Sequence, residues 1–183
     1  MPVTKVTFND QGGAYQITKH LLETGCRRVM YVSGPEDLYI SKKRKEGYIQ
    51  ALEEFGIHPD PELIKITDLT HDQNFRVAQE IIEMNNRPDG VFCMIDPVAV
   101  DVLTHWKNNG IRVPQDMALA GFTNNPTSGV VEPPLTTVSQ PGYEMGKLAV
   151  NHLLDQLEGI ASDEPISIVL ETTLVPRKST RIS

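Results

Sequence analysis

Apolar residues recur along this chain with two alternating periods, short unbroken runs and a three-to-four spacing, and the alternation predicts strands followed by helices. Residues 3–8, VTKVTF, read as a strand, after which Asn9 and Asp10 cap a helix with Ala14, Ile17 and Leu21 on one face and Gly25 at its end. A second strand covers 29–32, Ser33-Gly34-Pro35 turns the chain, and Ser41 caps a helix carrying Tyr48, Ala51, Leu52 and Phe55 in one stripe. A third strand covers 63–67, and Phe75, Ala78 and Ile82 mark the next helix. The fourth, buried strand is 91–95. Asp96 follows as N-cap with Pro97 at the first helical position, and Ala99, Val102, Leu103 and Trp106 form that helix's inner face. A fifth run, 117–120, ends at Gly121. Pro133 and Pro134 remove two backbone donors and send the chain out of the sheet in extended form, through 135–138. A helix over 142–158 bears Val150, Leu153, Leu154 and Leu157, and a last strand over 166–174 precedes Arg177-Lys178-Ser179-Thr180.

Strands alternating with helices of this length imply right-handed βαβ units and an α/β fold with a doubly wound parallel sheet, five strands of it preceding the crossing. Ligands of such sheets bind outside the carboxyl ends of the strands. Those ends are Phe8-Asn9, Ser33-Gly34, Thr67-Asp68, Ile95-Asp96 and Phe122-Thr123, with Gln140 entering from the crossing.

Composition narrows the function. A chain of 183 residues holds one domain or slightly more, and a formal charge of −7 argues against its gripping a phosphate backbone. Two cysteines, Cys26 and Cys93, make no disulfide framework and point to a reducing compartment; Cys93 sits in an apolar run that reads as core. With no leader-like start and no membrane-length apolar run, a cytoplasmic protein is expected. The five histidines lack metal-ligand spacing, and neither metal nor cofactor is expected. There is no G-x-G-x-x-G, phosphate loop or G-x-S-x-G elbow, and His71-Asp72 has no nucleophile beside it, so the reading is not an enzyme.

Three strings carry a further implication: HLLETGCRRVMYVSGP, RKEGYIQALEEFGI and GFTNNPTSGVVEPPLTTVSQPGYEMG, with the linker IRVPQD between the last two. Their order resembles the effector-sensing domain of LacI/GalR transcription regulators, whose two-lobed architecture is similar to that of periplasmic sugar-binding proteins. The resemblance implies that residues 1–140 are the C-terminal lobe. It assigns 141–160 to a crossover helix normally packed in the N-terminal lobe, and 161–183 to a returning strand and tail. It implies a truncated chain whose helix-turn-helix is absent, so that DNA is reached through another segment only. The apolar stripe of the crossover helix then packs on a neighbouring chain or refolds against its own lobe.

Carried over position by position, the family's effector contacts fall on Phe8 as an apolar wall, Arg44 as a forked donor, Asp68, Leu69, Ile95, Asp96, Thr123 and Gln140. Each has a plainer reading: Arg44 lies in the charged run 42–45, Asp96 is a helix cap, and Phe8 and Leu69 suit a core. Two positions depart from the family, Ile95 for its Asn and Thr123 for its Asp, as does Cys26 for its His. Losing an amide and a carboxylate favours, over a neutral sugar, a less hydroxylated or anionic effector such as a sugar phosphate or small anion paired with Arg44. The resemblance further implies a homodimer through the helix 98–108 and the loop 127–131, and regulation by population shift. An exported solute-binding protein of the same fold is the alternative.

Overall fold

The computed structural model describes residues 3–160 and 164–180. The first two residues, part of the basis for expecting no leader, and positions 161–163 and 181–183 of the returning segment lie outside the described residues. In order come β1 (Lys5–Phe8), α1 (Asp10–Glu23), β2 (Val29–Ser33), α2 (Tyr39–Glu54), β3 (Ile64–Ile66), α3 (His71–Glu83), β4 (Gly90–Cys93) and α4 (Asp96–Asn108). They are followed by β5 (Ala118–Ala120), β6 (Thr137–Ser139), α5 (Gly142–Leu157), β7 (Ser167–Leu170) and β8 (Thr173–Val175).

The central sheet is parallel, with strand order β3-β2-β4-β5. Successive strand residues point to opposite faces, so β2 sends Met30 and Val32 to one core and Val29 and Tyr31 to the other. The first core is closed by α3 and α4 through Val77, Ile81, Val102 and Trp106; the second by α1 and α2 through Ile17, Leu21, Tyr48 and Leu52. Coverage on both faces is why these strands read as continuous apolar runs. Helices α1 and α2 meet at Gly47, where a Cβ would collide with the Gln11 carbonyl and the Tyr15 N–H.

Several expectations are corrected. The first predicted strand does not join the central sheet: β1 pairs in parallel with β7. The predicted strand 166–174 breaks at Glu171-Thr172, because its second half, β8, pairs antiparallel with β6 instead. Ser41 does not cap α2, which begins two residues earlier at Tyr39; Ser41 is buried within the first turn, its hydroxyl 3.8 Å from Met94 Sδ. Asp96 is the first residue of α4 rather than its N-cap, and its carboxylate reaches other segments. Val102 is fully buried in the chain's own core, on the inner face the spacing predicts, so only the other face of α4 is open to a second chain.

The C-terminal tail closes the open edge of β5. Leu119 N–H donates to the Ser179 carbonyl at 2.9 Å, Ser179 Oγ donates to the Leu119 carbonyl at 2.5 Å, and Thr136 N–H donates to Ser179 Oγ at 2.8 Å. An edge paired in this way is no template for another chain. Helix α5 lies beside β1, with Thr4 Oγ1 and His152 Nε2 3.3 Å apart. Its apolar stripe is not covered by the described residues: Val150, Leu153, Leu154 and Leu157 are all exposed.

Candidate functional site

The carboxyl ends of β2, β4 and β5 share one edge of the central sheet, and the separate β1–β7 pair is tied to it through Asp10 and Arg44. Phe8 closes β1, and Asn9 caps α1 by accepting from the Gly12 N–H at 2.8 Å. These residues and Thr7, Asp10, Gln11, Tyr39, Lys43 and Val169 line a recess of about 180 Å³. Phe8 is half-buried and Tyr39 exposed, and the amides beside them are engaged, Asn9 Nδ2 donating to Glu171 at 2.9 and 3.2 Å and Gln11 Nε2 to Gln50 Oε1 at 3.1 Å.

Arg44 does not present an open fork. It is buried (2% exposed), and its Nε and Nη2 both donate to Oδ1 of Asp10, at 3.0 and 2.7 Å. Its Nη1 donates to the Met94 carbonyl, and the guanidinium lies 3.8 Å from the centre of the Phe122 ring. One side chain thus ties α1, α2, β4 and the end of β5 together. It is no part of a solvated charge run, although its neighbours Lys43 and Lys45 are, paired with Glu46 at 2.7 Å and Glu36 at 3.8 Å.

Asp96 is likewise buried and satisfied. Its Oδ1 accepts from Thr137 Oγ1 at 2.6 Å and its Oδ2 from the Asn125 N–H at 2.7 Å, joining α4 to β6 and to the loop after β5. Gly121 leaves room for it, since a Cβ there would collide with this carboxylate. Burial is the main influence on the Asp96 carboxyl and raises its pKa above the ordinary value, against the lowering effect of Thr137, Asn125 and Arg177. The native state then holds the proton more tightly than the unfolded chain does. This contribution to stability is complete below the ordinary carboxylate value and is lost as pH rises past the raised one. Denaturation curves of the wild type and Asp96→Asn recorded across the acid range are therefore expected to diverge. The wild type gains stability relative to the variant on acidification, and a pH-independent difference would contradict this account.

Asp68 turns back on its own segment, accepting from the Thr70 N–H at 2.9 Å and Thr70 Oγ1 at 2.6 Å, and the Thr70 hydroxyl above all holds its pKa below the usual value. Leu69, with φ of 70°, and Ile95 are half-buried and each packs against both cores. Thr123, with φ of 115°, gives its N–H to the Val138 carbonyl at 2.9 Å. Gln140 is half-buried just after β6. The edge therefore assembles Phe8, Asp10, Tyr39, Phe122 and Arg44 at one end and Asp96, Thr123 and Gln140 toward the other.

Asp10 and Tyr39 are not legible as site residues in the sequence, whereas Phe122 stands at a predicted strand end. Asp10 reads as part of a helix cap, and no local spacing signals its pairing with Arg44 across 34 positions. His71 does find a carboxylate, but it is Asp101 rather than Asp72: Nδ1 lies 2.8 Å from both Asp101 oxygens. Asp101 also accepts from Asn74 at 2.7 Å and Asn74 from Thr67 at 2.6 Å, a chain that fastens α3, α4 and the end of β3. Among the described residues, no cluster of three His, Cys, Asp or Glu side chains is placed to hold a metal ion.

Residues 18–180 match the model of the periplasmic binding protein-like domain. The chain is 35% identical over 178 residues to the HTH-type transcriptional repressor CytR of Escherichia coli (strain K12), covering 96% of this chain and 51% of CytR. It is 34% identical over 177 residues to the HTH-type transcriptional regulator CelR of Thermobifida fusca, covering 97% and 52%. A solved CelR–cellobiose complex superposes with a TM-score of 0.90 at 34% identity, over 97% of this chain and 54% of that one. The chain thus spans about half the length of the curated relatives it matches.

Proposed function

This chain belongs to the periplasmic binding protein-like domain family, among LacI-type transcription regulators, and from that premise we propose that it is the effector-sensing and dimerising portion of a DNA-binding regulator. The observation that carries the reading is a recess at the carboxyl end of β1, lined by Phe8, Asn9, Asp10, Gln11 and Tyr39, which the Asp10–Arg44 pair joins to the carboxyl ends of β4 and β5, where open α/β sheets take their ligands. A small molecule held against this edge and against a facing lobe favours one closure angle. The population shifts with it, and so does the spacing of the DNA-reading segments. DNA contact belongs to another segment, which agrees with the acidic balance of this chain.

The relatives are transcription regulators, which favours this role over an enzyme and over an exported solute carrier, and favours the cytoplasm as its location. No helix among the described residues is long and apolar enough to cross a membrane. The cellobiose bound by a relative supports an effector of saccharide size. The dimer surface we assign to the exposed residues of α4, such as Thr104 and Lys107, and to the loop 127–131 with its exposed Val130. Glu132, also exposed, limits the apolar part of that seam.

The test is amide chemical-shift mapping with a panel of saccharides and nucleosides. Shifts are expected at Phe8, Asp10, Tyr39, Thr123 and Gln140. Shifts confined to the opposite ends of the strands would overturn the assignment.

A further inference from the structure

We propose that the chain carries a second binding site, between α2 and the edge of the central sheet, for a small organic anion with one carboxylate or phosphate head group on an apolar body. The proposal is separate from the effector-sensing reading and stands or falls without it.

A recess of about 280 Å³ lies between the first turns of α2 and β3, an edge strand bonded to β2 on one side only. Its apolar wall is Ile64 and Ile66, two residues apart and hence on one face of the strand. Ile66 is 46% exposed, a large side chain left uncovered. Ser33 and Ser41, both buried, add hydroxyl-bearing residues to the lining. The Ser41 hydroxyl donates to the Met94 thioether at 3.8 Å, a weak acceptor that yields to a carboxylate or phosphate oxygen.

Two lysines complete the recess. Arg44, the cation that the sequence matched to an anion, is spent on Asp10, and Lys43 is paired with Glu46 at 2.7 Å. Lys42 and Lys45 are less engaged. Among the described residues no carboxylate stands within ion-pair distance of Lys42, and Lys45 reaches the exposed Glu36 only at 3.8 Å. Two lysines against one glutamate make the recess locally positive in a chain whose formal charge is −7. An ammonium on a flexible stem swings onto a head group while its methylenes lie along apolar surface. A wholly polar ligand would leave the isoleucines wet, and a wholly apolar one would leave the lysines unmatched. The volume, just under the ~300–1,000 Å³ of ordinary ligand pockets, suits a body of about one ring. The strand-end recess is a different cavity: Tyr39 and Lys43 of α2 line that one, whereas Ser41, Lys42 and Lys45 line this one.

The experiment is an amide chemical-shift titration of the full chain with benzoate and phenyl phosphate. Benzyl alcohol, a ring without charge, and inorganic phosphate, a charge without a ring, are the comparisons. Benzoate or phenyl phosphate is expected to shift Ser33, Ser41, Lys42 and Ile66 and to bind at least about fivefold more tightly than either comparison, the tighter of the two identifying the head group. Replacing both Lys42→Gln and Lys45→Gln should weaken that binding at least about fivefold, and added salt should weaken it in the wild type. Lys65→Gln removes the same charge from the opposite face of β3, where Lys65 pairs with Glu80 at 3.0 Å, and should leave binding unchanged. Benzyl alcohol binding as tightly would remove the lysines from the site and overturn the proposal. Inorganic phosphate binding as tightly would mean an adventitious ion only. Shifts centred on Phe8, Thr123 and Gln140 would place the anion in the effector recess, and no shifts at all would leave no second site. Each of these overturns the proposal, while the saccharide and nucleoside mapping above decides the effector-sensing role independently.

Discussion

Asp10→Ala is expected to lower the unfolding free energy by about 3–5 kcal/mol, among the largest effects of any single carboxylate in the chain. The carboxylate compensates a guanidinium that is almost wholly removed from water, and two of its three hydrogen bonds within the chain end on Asp10 Oδ1. Removing the partner leaves a buried charge held by the Met94 carbonyl and the Phe122 ring alone. A cation over a ring contributes only about 0.5–2 kcal/mol, too little to offset the loss. The double replacement Asp10→Ala with Arg44→Met is expected to recover most of the stability, since an apolar side chain of similar length carries no charge to desolvate. Urea denaturation of the two variants checks both halves. A single variant within about 1 kcal/mol of wild type would mean that the pair does not hold α1 to α2, and a double variant no better than the single would point to lost packing.

Val102→Glu is expected to abolish cooperative folding. Val102 is fully buried among Val98, Ala99, Leu103 and Trp106 beneath the sheet, and none of these offers a partner for a carboxylate. The several kcal/mol such a charge costs is a large part of the ~5–15 kcal/mol that holds a domain together. Val130→Glu, in a side chain that is 82% exposed, should instead leave the unfolding midpoint nearly unchanged while sedimentation shifts from dimer to monomer. A folded, monomeric Val102→Glu would restore α4's apolar face to the interface. A dimeric Val130→Glu would remove the 127–131 loop from it.

These two variants also mark how far periodicity reaches. The three-to-four spacing of Ala99, Val102, Leu103 and Trp106 identifies an apolar face but not what covers it. The spacing of Val150, Leu153, Leu154 and Leu157 is of the same kind, yet the first face is buried against the central sheet and the second is exposed. The candidate site divides in a similar way. Phe8 ends β1, Thr123 and Gln140 follow β5 and β6, and all three are half-buried. Arg44, Asp68 and Asp96 reach the strand edge but are engaged in internal bonds to Asp10, Thr70 and Thr137. Each residue type was legible, whereas its remaining bonding capacity depended on partners brought close by folding, most of them distant in sequence.

The sequence by itself determined the succession of strands and helices, the parallel doubly wound class and the family, because all three rest on local order: apolar runs, capping residues, prolines and the strings around them. Only the tertiary structure decided that β1 leaves the central sheet for β7, that Ser179 seals the edge of β5, and that Asp10 neutralises Arg44. The reason is physical. Backbone and charge pairings between distant segments are chosen by which groups reach one another after the layers pack, and by the cost of leaving any of them buried without a partner.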